Sequence, residues 1–138
     1  MQLYDYYRSS AGYRVQIALN LKGLNYTSRE VHLLRDGGEQ LKPEYRAINP
    51  QARVPSLMLD DGTVIIQSPA ILEWLEETHP ERPTLADVLL VPQVFNARRQ
   101  AVPLDEFPKI AGVDAACAGI DAFARARPEA VRPARSSG

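Results

Sequence analysis

"YYRSSAGYRVQIALNLKG", residues 6–23, sets two serines and a glycine between an extended, tyrosine-bearing start and a long apolar run. From Tyr13 to Leu24 the period is helical. Val15, Ala18 and Leu19 fall on one face, Ile17, Leu21 and Leu24 on the adjacent one, and Gly23 stands where a helix end favours glycine. So wide an apolar surface predicts a helix buried on more than one side. Ser9 and Ser10 lie just before it. A serine there can cap the helix by accepting a bond from a first-turn N–H, for about 1 kcal/mol. The same helix end, with unpaired N–H groups and a partial positive charge, also favours an anion such as a thiolate. The residues alone leave both roles open.

Outward from this helix the pattern alternates. "MQLYDYY" (1–7) predicts a first strand, in which Tyr6 and Tyr7 are ordinary strand tyrosines. "NYTSREVHL" (25–33) predicts a second strand that leaves through the charged, glycine-bearing "RDGGEQ" (35–40). "EQLKPEYRAI" (39–48) predicts a short helix. "VPSLMLDDGTVIIQ" (54–67) places two β-rich runs around an Asp-Asp-Gly turn, the pattern of an antiparallel hairpin. In "SPAILEWLEETHP" (68–80), Ser68 suits the N-cap and Pro69 the first helical position. Ile71, Leu72, Trp74 and Leu75 form an inward stripe, with Glu73, Glu76 and Glu77 toward water. The order strand, helix, strand, helix, hairpin, helix predicts an α/β fold on a sheet of mixed direction with helices on both faces.

After Pro80 the chain reads as all helix. "TLADVLLVPQVFNARRQ" (84–100) opens with Thr84 and Asp87 at capping-box spacing, places Pro92 where it would bend a helix, and is apolar enough to demand burial on nearly every side. "FPKIAGVDAACAGIDAFARA" (107–126) predicts one or two weaker helices, and "RPEAVRPARSSG" (127–138) a solvated tail. The 138 residues suffice for one well-packed domain. Seventeen acids against sixteen bases give no general field toward nucleic acid or an anionic membrane, which leaves a small neutral or mildly anionic ligand as the expected partner. No apolar run approaches the roughly 18–20 residues of a membrane span, and no basic-then-apolar leader opens the chain, so a soluble, cytoplasmic protein is expected. Cys117, the only cysteine, excludes an internal disulfide or a Cys-x-x-Cys metal pair and reads as a small core residue; no metal site is expected. His32 and His79 match no functional motif and read as surface or loop residues.

Three stretches taken in order, "RSSAGYRVQIALNLKGL" (8–24), "INPQARVPSLMLDDGTVIIQSPAILEWLEE" (48–77) and "PTLADVLLVPQVFNARR" (83–99), resemble the zeta class of glutathione transferases, the family that includes maleylacetoacetate isomerases. The resemblance implies a thioredoxin-like glutathione-binding domain over residues 1–80. Residues 81–138 would then be the remnant of an all-helical C-terminal domain with a disordered tail. It also implies an internal deletion. In "HPERPTLADV" (79–88) two segments that the family holds apart by about half of its helical domain are fused at Pro83–Thr84, with about 70 residues absent. Those residues would include the helices that wall the second-substrate site and make most of the contact in the family's homodimer, so such a dimer is in doubt for this chain.

The same resemblance assigns the site. Ser9 aligns with the catalytic serine and Ser10 with its partner, while Ala11 stands where the family commonly has cysteine. Arg14 falls on the family's "YRV" element and is implied to favour an anionic ligand. Pro55 aligns with a cis-proline that turns the Val54 backbone toward the cysteinyl part of glutathione. Gln67 and Ser68 align with the pair holding the γ-glutamyl carboxylate, Gln40 with a further contact, and Arg99 with an arginine that meets substrate carboxylate. The implied reaction is glutathione-dependent cis–trans isomerisation of maleylacetoacetate to fumarylacetoacetate. The thiolate would be held at the helix end and the enolate stabilised by cations. Conjugation or dehalogenation of small α-halo acids uses the same thiolate. A glutathione-binding module without turnover, or an inactive deletion product, are the alternatives that the missing wall raises.

Overall fold

The computed structural model describes residues 1–79 and 85–132, apart from the side chains of 85–87. Thr84 and the Asp87 side chain, expected to cap a helix, and the junction Pro83–Thr84 lie outside the described residues, as do the last six residues of the expected tail.

Four short strands form one sheet: β1 (Gln2–Asp5), β2 (Thr27–Glu30), β3 (Ser56–Met58) and β4 (Val64–Ile66), in spatial order β2-β1-β3-β4. β1 and β2 run parallel, with Leu3 opposite Ser28, and the other pairs are antiparallel, with Leu3 opposite Leu57 and Leu57 opposite Ile65. The parallel pair needs a crossover, and α1 (Ser10–Leu21) supplies it. The antiparallel pair closes as expected through the Asp-Asp-Gly turn. There Gly62 takes φ +88°, and Thr63 N–H donates to Asp61 Oδ1 at 2.8 Å. Alternation along β1 sets the faces: Leu3 and Asp5 are buried toward α1, whereas Tyr4 points to the opposite face and meets the Tyr45 ring of α2 (Pro43–Arg46) at 6.2 Å. The mixed sheet thus carries helices on both faces.

α1 is enclosed as its two apolar faces predict. Val15, Ile17 and Leu19 are fully buried in one cluster with Leu3 and Leu57 of the sheet, Ile71 and Leu75 of α3 (Ser68–Thr78), Val88 and Val91 of α4 (Leu85–Arg99), and Phe123 of α6 (Asp121–Ala126). The helix begins at Ser10, three residues before the apolar period, because Ser9 caps it: Ser9 Oγ accepts from Gly12 N–H at 3.1 Å. It ends at Leu21 in a Schellman turn. Gly23 at φ +64° donates to Asn20 O at 3.1 Å and Leu24 N–H to Leu19 O at 3.0 Å, which puts Leu24 outside the helix.

Several expectations are corrected. The single helix expected over 39–48 is two pieces, a 3-10 turn Glu39–Leu41 and α2, because Pro43 forces Lys42 into an extended conformation (ψ 149°). The N-cap of α3 is Gln67, at φ +72° with no side-chain cap bond; Ser68 is the first helical residue and Pro69 the second. α4 passes through Pro92 unbroken and needs less cover than its composition implies: Val88, Val91, Pro92 and Val94 are buried, while Leu89 is 36% exposed. The weaker helices are α5 (Pro108–Ala118), which buries Cys117, and α6. The segment from Arg127 is not solvated throughout: α7 (Pro128–Val131) buries Pro128, and Asn20 Nδ2 donates to Ala122 O at 3.1 Å just upstream. His32 caps a turn through Nδ1, which accepts from Leu34 and Arg35 N–H at 3.2 and 2.9 Å. Among the described residues no helix is long and apolar enough to cross a membrane.

Candidate functional site

A cleft of about 410 Å³ opens at the N-terminal end of α1. Its wall holds Ser9, Ser10, Ala11, Gln40, Val54 and Arg99, six of the residues singled out in the sequence, brought together from α1, the 3-10 turn, the loop before β3 and the end of α4. Arg8, Arg53 and Asn96 join them and were not anticipated. Each lies within one of the three quoted stretches without having been singled out there, and only the fold shows that all three face one space. The lining therefore carries three arginines and no carboxylate. Together with the positive end of a 12-residue helix this gives a field that favours an anion.

The role the structure shows for Ser9 is the cap, and the cap uses the hydroxyl as an acceptor only. Oγ accepts from Gly12 N–H, and the O–H remains available to donate into the cleft. The N–H groups of Ser10 and Ala11, first in the helix, have no intrahelical acceptor. Gln40 Oε1 is buried and without a hydrogen-bond partner among the described residues, so the cleft also lacks a donor for one of its own acceptors. A peptide thiol, with an anionic sulfur, carboxylates and donating amides, fits this donor and acceptor set. Tyr6 and Tyr7 do not line the cleft. Tyr6 is buried against the Tyr7 and His32 rings, and burial pushes its hydroxyl above the usual tyrosine value.

The loop that presents Val54 is held from below. Asn49, 1% exposed, donates through Nδ2 to Arg53 O at 2.7 Å and to Ser56 Oγ at 3.1 Å, and its Oδ1 accepts from Gln51 N–H at 3.0 Å. Tyr45 Oη donates to Arg53 O at 2.6 Å and lies 2.9 Å from Ser56 Oγ. The Val54–Pro55 bond is cis, as the resemblance implies. Ser56 pairs with Ile66, so the next positions outward, Pro55 and Gln67, continue side by side beyond the ladder. Gln67 Nε2 donates to Gln51 Oε1 there, and Ser68 is buried behind it. Pro55, Gln67 and Ser68 thus lie at a corner next to Val54 and outside the cleft wall. Arg14 also lies outside it, one turn along α1, with Nε buried and unpartnered among the described residues.

Comparisons with known proteins agree with this geometry. The model of the glutathione S-transferase N-terminal domain family matches residues 3–83. A maleylacetoacetate isomerase of Pseudomonas aeruginosa is 36% identical over 203 aligned positions that take in 93% of this chain and 96% of the relative. That alignment has more positions than the chain has residues, so an internal stretch of the relative has no counterpart here. Among solved structures, a maleyl pyruvate isomerase described as a bacterial glutathione S-transferase in zeta class superposes with TM-score 0.90 at 32% identity, covering 97% of this chain and all of that one. A maleylacetoacetate isomerase from Anaeromyxobacter dehalogenans 2CP-1, with glutathione bound in its active site, gives 0.81 at 30% identity over 96% and 97% of the two chains.

Proposed function

The chain belongs to the glutathione S-transferase family, and from that premise we propose that it is a cytoplasmic enzyme catalysing glutathione-dependent cis–trans isomerisation of maleylacetoacetate to fumarylacetoacetate. The observation that carries this is Ser9, its hydroxyl anchored by Gly12, in the wall of a cleft lined by arginines and no acid. Bound glutathione supplies a thiolate nucleophile. Ser9 donates its O–H to the sulfur and, with the free N–H groups of Ser10 and Ala11, holds it ionised near neutral pH. Ala11 brings no thiol, and the chemistry needs none from the protein. Val54 offers its backbone N–H and C=O to the cysteinyl part. Gln67 and Ser68 take the γ-glutamyl carboxylate, Gln40 a further polar group and Arg14 the ligand's overall negative charge. Arg99 meets a substrate carboxylate and stabilises the charge that develops on the carbonyl oxygen.

Two measurements test this. A thermal melt with and without millimolar glutathione is expected to show a cooperative transition that rises with ligand; an unchanged melt removes the reading. Ser9→Ala is expected to keep that ligand-induced rise and to lower turnover of maleylacetone by about 10²–10³. Unaltered turnover would take the role from Ser9. The stretch of the relatives without counterpart here favours a second reading, a glutathione-binding module that turns nothing over. A ligand-induced rise without turnover in the unmodified chain selects it.

A further inference from the structure

A second cavity, of about 340 Å³, adjoins the Ser9 cleft and shares Arg8 and Arg99 with it. Its floor is aromatic, from Tyr7 and Phe95, and its far wall is the C-terminal turn, which contributes Glu129 and Arg132. Arg132 is not adrift on this wall. Pro128 is buried, which docks α7, and the Arg132 guanidinium carbon stands 5.6 Å from the centroid of the Tyr7 ring. A guanidinium laid on an aromatic face is oriented, and keeps its fork of donors for a carboxylate. Among the described residues no carboxylate lies within ion-pair distance of Arg8, Arg99 or Arg132. Glu129 opposes three cations with one negative charge, so the cavity remains positive.

We infer that Arg132 is a specificity-determining residue: it holds the distal carboxylate of a dicarboxylate whose other end lies against Arg8 and Arg99, with the carbon chain over Tyr7 and Phe95. The inference rests on the proposed reading of the Ser9 cleft for the placement of the reacting end. It gives the C-terminal turn, which in sequence resembles a solvated tail, a part in substrate selection.

The test is a binding titration of the purified chain with maleate and with cis-crotonate, which keeps the four-carbon skeleton and lacks one carboxylate. The unmodified chain is expected to prefer maleate, and Arg132→Met to weaken maleate about tenfold while cis-crotonate changes less than about twofold. Arg132→Lys, which keeps the charge and loses the stacked fork, is expected to fall between. Equal weakening of both probes would mean a general field and overturn the inference. So would unchanged maleate binding in Arg132→Met, or a parent chain that does not distinguish or bind the probes. The glutathione-induced rise in melting temperature, read on the same samples, reports on the Ser9 site separately: its absence with maleate discrimination intact overturns the glutathione reading and leaves Arg132 its role.

Discussion

Asp5 sits in an environment that disfavours its charge. It is 3% exposed, and burial pushes its carboxyl from the ordinary 3.8 up to about 7. Gln16 Nε2 donates to Asp5 Oδ2 at 2.8 Å, yet Asp5 Oδ1 and Gln16 Oε1 are both buried acceptors with no donor among the described residues. Because the folded value lies above the unfolded one, Asp5 favours the fold at low pH, and that contribution is lost as pH climbs from about 4 to about 7. Asp5→Asn supplies the missing donor and removes the charge. It is expected to be more stable than the parent by about 2 kcal/mol near pH 8 and to lack the decline between pH 4 and 7, read from urea midpoints; parallel pH profiles would show that Asp5 is already accommodated. Gly12, which anchors Ser9, sits against the same carboxyl: a Cβ there would stand 1.8 Å from Asp5 Oδ1. Alanine is worth up to about 1 kcal/mol over glycine within a helix. Here the carboxyl is held by Gln16 and cannot retreat, so Gly12→Ala is expected to destabilise by about 1–3 kcal/mol despite that gain. A rise in the urea midpoint would mean that Asp5 swings aside freely.

At the scale of elements, the loop 49–56 shows what a site needs beyond its contact residues. Val54 faces the cleft because Asn49 and Tyr45 hold the carbonyl of Arg53 from behind and Ser56 from the side. Asn49→Ala leaves Ser56 Oγ and the Gln51 N–H each short of a partner, and is expected to cost about 2–4 kcal/mol and to shrink the melting-temperature rise given by glutathione. A loss of stability with that rise intact would separate Val54 from the ligand site. Much at this scale was legible in the residues: the Asp-Asp-Gly hairpin, the helix stop at Gly23, and the stripe Ile71, Leu72 and Leu75, though Trp74, also expected inside, is only partly buried. What was missed has physical reasons. Pro43 restricts the residue before it, so one expected helix became two. At α3 the cap position went to Gln67 at φ +72°, a conformation that residue type does not announce. α6 is six residues long and alanine-rich, and its burial is dictated by the groove on α1 rather than by its own pattern.

For the whole molecule the question is whether the helices after residue 84 are part of one cooperative unit or ride upon the first eighty residues. Packing argues for one unit. α1 carries the site at its N-terminus and is wedged between the sheet, α3, α4 and α6, with Phe123 at 1% exposure in the same cluster as Leu3, Ile17 and Leu75. The pairing of Tyr13 with Phe95, edge to face at 5.9 Å, joins the start of α1 to the end of α4 beside the cleft. Leu89 and Val113 stay in view and are not part of this cluster. Phe123→Ala opens a cavity in the cluster and is expected to cost about 3–5 kcal/mol. Trp74, the only tryptophan, lies in α3 within the first eighty residues, so its fluorescence follows that part alone while far-ultraviolet circular dichroism follows every helix. In a single unit the two transitions coincide in the parent chain and shift together in Phe123→Ala. If Trp74 unfolds at an unchanged urea concentration while the dichroism shifts, the later helices are docked without stabilising the half that holds Ser9.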